Sequence, residues 1–205
     1  MRRILGSSRT GTPADLLVVG LGNPGAEFAH TRHNVGADTV TLLAERHGER
    51  LRAEKGTRAA TVSLRLHGSL VVLAVPQTYM NDSGLAVGAL VRRHGITDLH
   101  ALVVVHDELD LPAGRVKVKV GGGTAGHNGL KSVHAHLHSP DYARVRIGIG
   151  KPPGRQMGAD HVLRRPGRAD REALDVGVEV AADAVLAIAT DGLEAAMNRF
   201  NTEPG

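Results

Sequence analysis

The chain has 205 residues, 41% of them hydrophobic, with 26 glycines and no cysteine. That is enough apolar material for one sizeable core, and the absence of cysteine excludes disulfide and thiolate chemistry and points to a reducing compartment. A formal charge of +4 leans toward a polyanionic partner, and no apolar run approaches the roughly 20 residues of a membrane span, so a soluble cytoplasmic protein is expected.

Residues 1–15 mix glycine, serine, threonine and proline without periodicity. They read as a flexible leader to a single domain over 16–200, with 201–205 as a tail. Leu16-Leu-Val-Val19 is a short buried strand ending at Gly20. Val35, Val40, Leu42 and Leu43, with Gly48 beyond them, predict a helix from Asn34 to about His47. Residues 57–67 and 70–75 predict two strands joined near Gly68. Asn81-Asp-Ser-Gly opens a helix over 83–94 that stops at Gly95. Residues 101–105 form an apolar strand, with Asp107, Glu108 and Asp110 beyond its end. Strands over 116–120 and 143–150 flank a helix from about Gly126 to His138. A connection over 151–168, rich in proline, glycine and arginine, leads to a long alanine- and valine-rich helix and a short one over 193–200. The alternation predicts an α/β fold: a single layered domain with a mixed, largely parallel twisted sheet flanked by helices. Ligands of such sheets sit outside the carboxyl ends of the strands, so Gly20–Gly25 and His106–Asp110 should face one crevice.

Three stretches gather glycine, asparagine and a candidate acid or base. They are Gly20-Leu-Gly-Asn-Pro-Gly25 running to Thr31-Arg-His-Asn34, Thr78-Tyr-Met-Asn81, and His106-Asp-Glu-Leu-Asp110 running to Gly121-Gly-Gly-Thr-Ala-Gly-His-Asn128. Glycine costs backbone entropy and buried asparagine needs partners, so a core alone would not concentrate them. The first stretch matches a dinucleotide fingerprint in form, but Pro24 removes a donor from its loop and no acidic residue follows at the end of a second strand. His33, near a helix start, should be kept neutral and basic by the helix dipole. His30 and His127 are rival bases, and a lone histidine is ordinarily just a polar helix end. Asp107, Glu108 and Asp110 could be cation ligands, turn formers, or the orienting partner of a histidine. His134 and His138 have zinc-like spacing but lack completing ligands, and helix-end histidines complement the dipole. Arg115, Lys117 and Lys119 alternate along one strand, as do Arg144 and Arg146, giving basic stripes able to follow a phosphate backbone.

Together with Thr-Tyr-Met-Asn-x-Ser-Gly, His-Asp-Glu-Leu-Asp-Leu-Pro-x-Gly and Arg-Ile-Gly-Ile-Gly-Lys-Pro, these motifs resemble those of the bacterial peptidyl-tRNA hydrolase family, in order from about Leu16 to Phe200. The resemblance implies a cytoplasmic, monomeric, metal-free esterase without cofactor, which acts on peptidyl-tRNA and engages neither membrane nor DNA. It implies His33 as general base, Asp107 as its orienting partner, and Asn23 as the group that tells blocked from free aminoacyl-tRNA. It also implies Tyr79, Asn81 and Asn128 as substrate contacts, with Phe28 in the place of a binding tyrosine, and Lys119 and Arg146 as a clamp on the tRNA 5′-phosphate.

Overall fold

The computed structural model describes residues 13–152 and 158–202. Leu16–Gly20 forms β1, buried along its whole length, as a continuous apolar run demands when both faces of a sheet are covered. The chain continues through α1 (Val35–Arg46), β2 (Arg52–Glu54), β3 (Ala59–Leu66), β4 (Ser69–Pro76), α2 (Ser83–Arg93) and β5 (Leu102–Glu108). It ends with β6 (Val116–Val120), α3 (Asn128–Leu137), β7 (Ala143–Gly148), α4 (Gly158–Leu163), α5 (Arg168–Asp191) and α6 (Leu193–Asn201). The sheet order is β2-β3-β4-β1-β5-β7-β6. Pairings β4–β1, β1–β5 and β5–β7 are parallel, whereas both margins are antiparallel, so parallel pairing is confined to the centre.

Strand periodicity divides the core. Val18, Val103, Val105, Val145 and Ile147 meet α1 and α5 on one face. On the other face Leu17, Val19, Leu102 and Val104 pack with Leu90 of α2 and Leu130 and Val133 of α3. The start of α1 is pressed against the sheet by two glycines. A Cβ on Gly20 would lie 2.2 Å from the carbonyl oxygen of Gly36, and one on Gly36 would lie 2.2 Å from that of Val105. This contact brings the turn preceding α1 down onto the ends of β1 and β5. The outer edge of β6 is closed by Asn201, whose amide accepts from the Val118 N–H and donates to its carbonyl, both at 2.8 Å.

Several boundaries depart from the expectation. β5 does not stop at Val105 but carries His106, Asp107 and Glu108 inside the ladder, opposite Arg146, Ile147 and Gly148 of β7. Pairing with a central neighbour overrides the polar side chains there. α3 begins at Asn128 because Ala125 and Gly126 are left-handed (φ 46° and 82°), which no helix accommodates. The 151–168 connection contains the six-residue α4, and β2 adds a three-residue edge; both are too short for a periodic signal. Of the expected leader, residues 1–12 lie outside the described residues, whereas Ala14 and Asp15 donate backbone hydrogen bonds to His94 and Leu70. Residues 203–205 of the expected tail also lie outside them, and Asn201 belongs to α6.

Candidate active site

His33 lies in a short 3₁₀ turn, Arg32–Asn34, that leads into α1, and Asp107 lies near the end of β5. The two are 74 residues apart, yet His33 Nδ1 is 2.8 Å from Asp107 Oδ1, with both side chains buried. The same oxygen is 2.9 Å from Nε2 of His127, at the N-cap of α3. Nδ1 of His127 accepts from the Leu130 N–H at 3.3 Å, so its proton sits on Nε2 and points at Asp107. His127 is thus held at both nitrogens, as a second donor to the carboxylate. In His33 only Nδ1 is engaged, and Nε2 has no hydrogen-bond partner among the described residues.

The electrostatics follow from this geometry. Burial pushes the His33 pKa down, but the Asp107 charge and hydrogen bond more than offset it, and the net shift is upward from 6.5. The expected lowering at a helix start therefore does not decide the matter: a carboxylate in contact outweighs a half-charge dipole. Burial raises the Asp107 pKa, yet the two imidazoles hold it well below the usual carboxylate range. His106, wholly buried beside His127, is forced down to about 3 by desolvation and is neutral. Its Nδ1–H donates to the Asp107 carbonyl at 2.7 Å.

Around this triad lies an amide frame. The Asn34 side chain accepts from the Asn23 N–H and donates to the Asn23 carbonyl, both at 2.9 Å. The Asn23 side-chain oxygen accepts from the Met80 N–H at 2.8 Å. That bond fixes the amide and leaves its NH₂ donors without a hydrogen-bond partner among the described residues. Asn81 follows Met80 in a second 3₁₀ turn and is exposed. Phe28 and Tyr79 meet edge to face, 6.3 Å between ring centres, and Tyr79 is 56% exposed. A cavity of about 270 Å³ opens on the other side, between the end of β5, the glycine loop over residues 121–127 and α4. His33, Leu109, Asn128 and Val162 are among its walls.

The basic stripes prove unequal. Lys119 pairs with Arg144, and Lys117 with Arg146, across β6 and β7, so all four share a face. Arg146 is bound to Glu108, at 3.1 Å, and Lys119 packs against Gly122. Arg144 is only 1% exposed and faces the glycine loop, so it does not join a surface stripe. Arg115 is engaged with the Thr202 carbonyl.

The structure thus brings His33 and Asp107 into contact and arranges Asn23, Phe28, Tyr79, Asn81 and Asn128 on the surrounding loops. His30 is apart from them, exposed at φ 59° and 3.7 Å from Asp38. The zinc spacing comes to nothing: His134 Nε2 accepts from Arg144, and His138 is the left-handed C-cap of α3. Among the described residues the one set of three potential ligands within 4.8 Å is His33, Asp107 and His127, where both imidazole protons are directed at one oxygen. Sequence reasoning missed His106, the Glu108–Arg146 pair and the burial of Arg144. The pairing of Glu108 with Arg146 needed the β5–β7 register, which no local pattern carries.

A model of the peptidyl-tRNA hydrolase family matches residues 17–205. Peptidyl-tRNA hydrolase of Cutibacterium acnes is 50% identical over 196 residues, covering 91% of this chain and 98% of the relative. That of Nocardia farcinica is 51% identical over 185 residues, covering 90% and 95%. The crystal structure of peptidyl-tRNA hydrolase from Acinetobacter baumannii superposes with a TM-score of 0.85 at 35% identity, covering 94% of this chain and 97% of the other. With the motifs, fold and site geometry in agreement, the chain belongs to the peptidyl-tRNA hydrolase family.

Proposed function

We propose that His33 is the general base of the peptidyl-tRNA hydrolysis that characterises this family. The observation that carries the reading is the single Asp107 oxygen shared by His33 and His127. It places the His33 proton on Nδ1 and leaves the Nε2 lone pair to take a proton from water. The water oxygen attacks the ester carbonyl, and the buried carboxylate stabilises the imidazolium that forms. Collapse of the tetrahedral intermediate breaks the bond to the 3′-oxygen of the tRNA, which recovers the proton from His33. A positioned base contributes about 10²–10⁴ in rate. Asn128 and Asn81 supply amide donors for the carbonyl oxygen or the water, a contribution of comparable size.

The Asn23 NH₂ group, oriented by Met80, serves substrate choice in this reading. A blocked amino group brings a carbonyl that accepts a hydrogen bond, whereas a free ammonium has only donors and would face a donor unpaired. Phe28 and Tyr79 give apolar surface beside it, and Lys119 with Arg146 holds the 5′-phosphate. The test compares hydrolysis of N-acetyl-aminoacyl-tRNA and free aminoacyl-tRNA by the wild type and by His33→Ala. The variant should lose 10²-fold or more in kcat while still binding tRNA; near-normal turnover would remove His33 from the chemistry.

A further inference from the structure

Arg144 is the most deeply buried cation among the described residues, 1% exposed, and no carboxylate lies within ion-pair distance of it there. The two amino groups of its guanidinium reach the glycine loop, while the buried Nε has no hydrogen-bond partner among the described residues. One amino group donates to the Gly123 carbonyl at 2.7 Å; the other donates to the Gly122 carbonyl and, at 3.0 Å, to Nε2 of His134. The group lies 5.1 Å from the centre of the Tyr142 ring. Burial and the adjacent guanidinium together lower the His134 pKa, as an acceptor role requires.

The loop it grips is poorly able to hold its own shape. Gly121, Gly122, Ala125 and Gly126 all have positive φ, and backbone bonds tie the segment only at its ends, from Gly121 N–H to the Tyr142 carbonyl and from His127 N–H to the Thr124 carbonyl. On one side Lys119 lies so close to Gly122 that a Cβ there would be 2.6 Å from its Nζ. On the other side the loop delivers His127 to Asp107 and Asn128 to the cavity. One buried side chain from β7 therefore stands beneath the segment joining the phosphate-facing lysine to the catalytic carboxylate.

We infer that Arg144 is a positioning residue which, through the Gly122 and Gly123 carbonyls, holds the glycine loop so that Lys119, His127 and Asn128 keep their places relative to His33. Two carbonyls side by side call for a planar fork, and a lysine ammonium cannot reproduce it. The activity arm of the test rests on the function proposed above, whereas the exchange arm does not.

The experiment is Arg144→Lys, which keeps charge and stem but loses the fork, followed by amide hydrogen exchange and by kinetics on peptidyl-tRNA and on a minimal N-blocked ester lacking the tRNA body. Exchange over residues 121–127 should quicken about tenfold or more, with that of β1 and β5 unchanged. On both substrates kcat should fall about tenfold, because His127 and Asn128 are displaced for each. Loop exchange at the wild-type rate would overturn the inference. So would unchanged kcat accompanied only by weaker, less salt-dependent tRNA binding, which would make Arg144 a phosphate ligand. Should Arg144→Lys fail to fold, His134→Ala removes one of the three acceptors without touching the charge. It should then show the same pattern more weakly, and its normal exchange and kcat would overturn the inference as well. A wild type inactive on peptidyl-tRNA would count against the proposed function and leave the exchange result to judge Arg144.

Discussion

Asp107→Asn separates charge from geometry at the centre of the site. Asparagine is nearly isosteric, and its carbonyl oxygen can still accept both imidazole protons that Asp107 Oδ1 receives at 2.8 and 2.9 Å. What disappears is the negative charge facing the imidazolium that forms during attack. At a charge separation of about 4 Å and an effective dielectric near 20, that attraction amounts to about 4 kcal/mol. The amide dipole returns part of it, so kcat should fall by about 10²- to 10³-fold. The pH profile should move as well. As the proposed general base, His33 acts when neutral, so rate should rise with pH through its pKa, which the carboxylate raises against the pull of burial. With the carboxylate gone, burial acts unopposed and the acid limb of kcat should shift to lower pH. Steady-state kinetics on N-acetyl-aminoacyl-tRNA between pH 5 and 9 measures both effects. Near-normal kcat with an unmoved acid limb would refute the orienting role, and recovery of the variant by added divalent cation would replace it with a metal-binding one.

Other outcomes follow from the same geometry. His106 is depressed to about 3 in the folded protein, so its contribution to stability is complete above pH 6.5 and is lost as pH falls toward 3. Between pH 7 and 5 that loss is about 2 kcal/mol, and it should vanish from urea denaturation of His106→Phe; an equal pH dependence in both proteins would contradict it. Lys119→Ala and Arg146→Ala should each weaken tRNA binding and flatten its salt slope by about one, with a minimal ester barely affected. Only the Arg146 variant should also melt earlier, since it strands Glu108, which is 7% exposed. Asn23→Asp keeps an acceptor for the Met80 N–H but exchanges the outward donor for a charge that welcomes ammonium, so blocked-substrate cleavage should fall and the gap to free aminoacyl-tRNA should narrow. Equal loss on both would assign Asn23 to catalysis in general.

The motifs of the candidate site were legible wherever they are written in neighbouring residues. Apolar strands ending in glycine and asparagine marked Asn23, and polar residues after residues 101–105 marked Asp107, because a strand's carboxyl end is where a layered sheet exposes function. What stayed hidden depends on register. That β5 runs on through Glu108 is decided by β7, whose Arg146 stands opposite His106 in the ladder, and nothing in His106-Asp-Glu announces that partner. The same holds for Arg144, which sequence alternation places in an exposed stripe with Arg146, although loop carbonyls and a histidine bury it. Once β5 is known to continue, its period of two explains how a tripeptide serves two tasks. Asp107 shares a face with Val103 and Val105 and so meets the turn before α1, where His33 waits. Glu108 turns to the opposite face, where the β6–β7 cations lie, and holds Arg146. A register slip of one residue would exchange the two carboxylates, leaving His33 and Arg146 without their partners. On the proposed function, one strand's pleat therefore fixes hydrolysis and tRNA binding relative to each other, with the polar end of β5 kept inside the ladder rather than released as a loop.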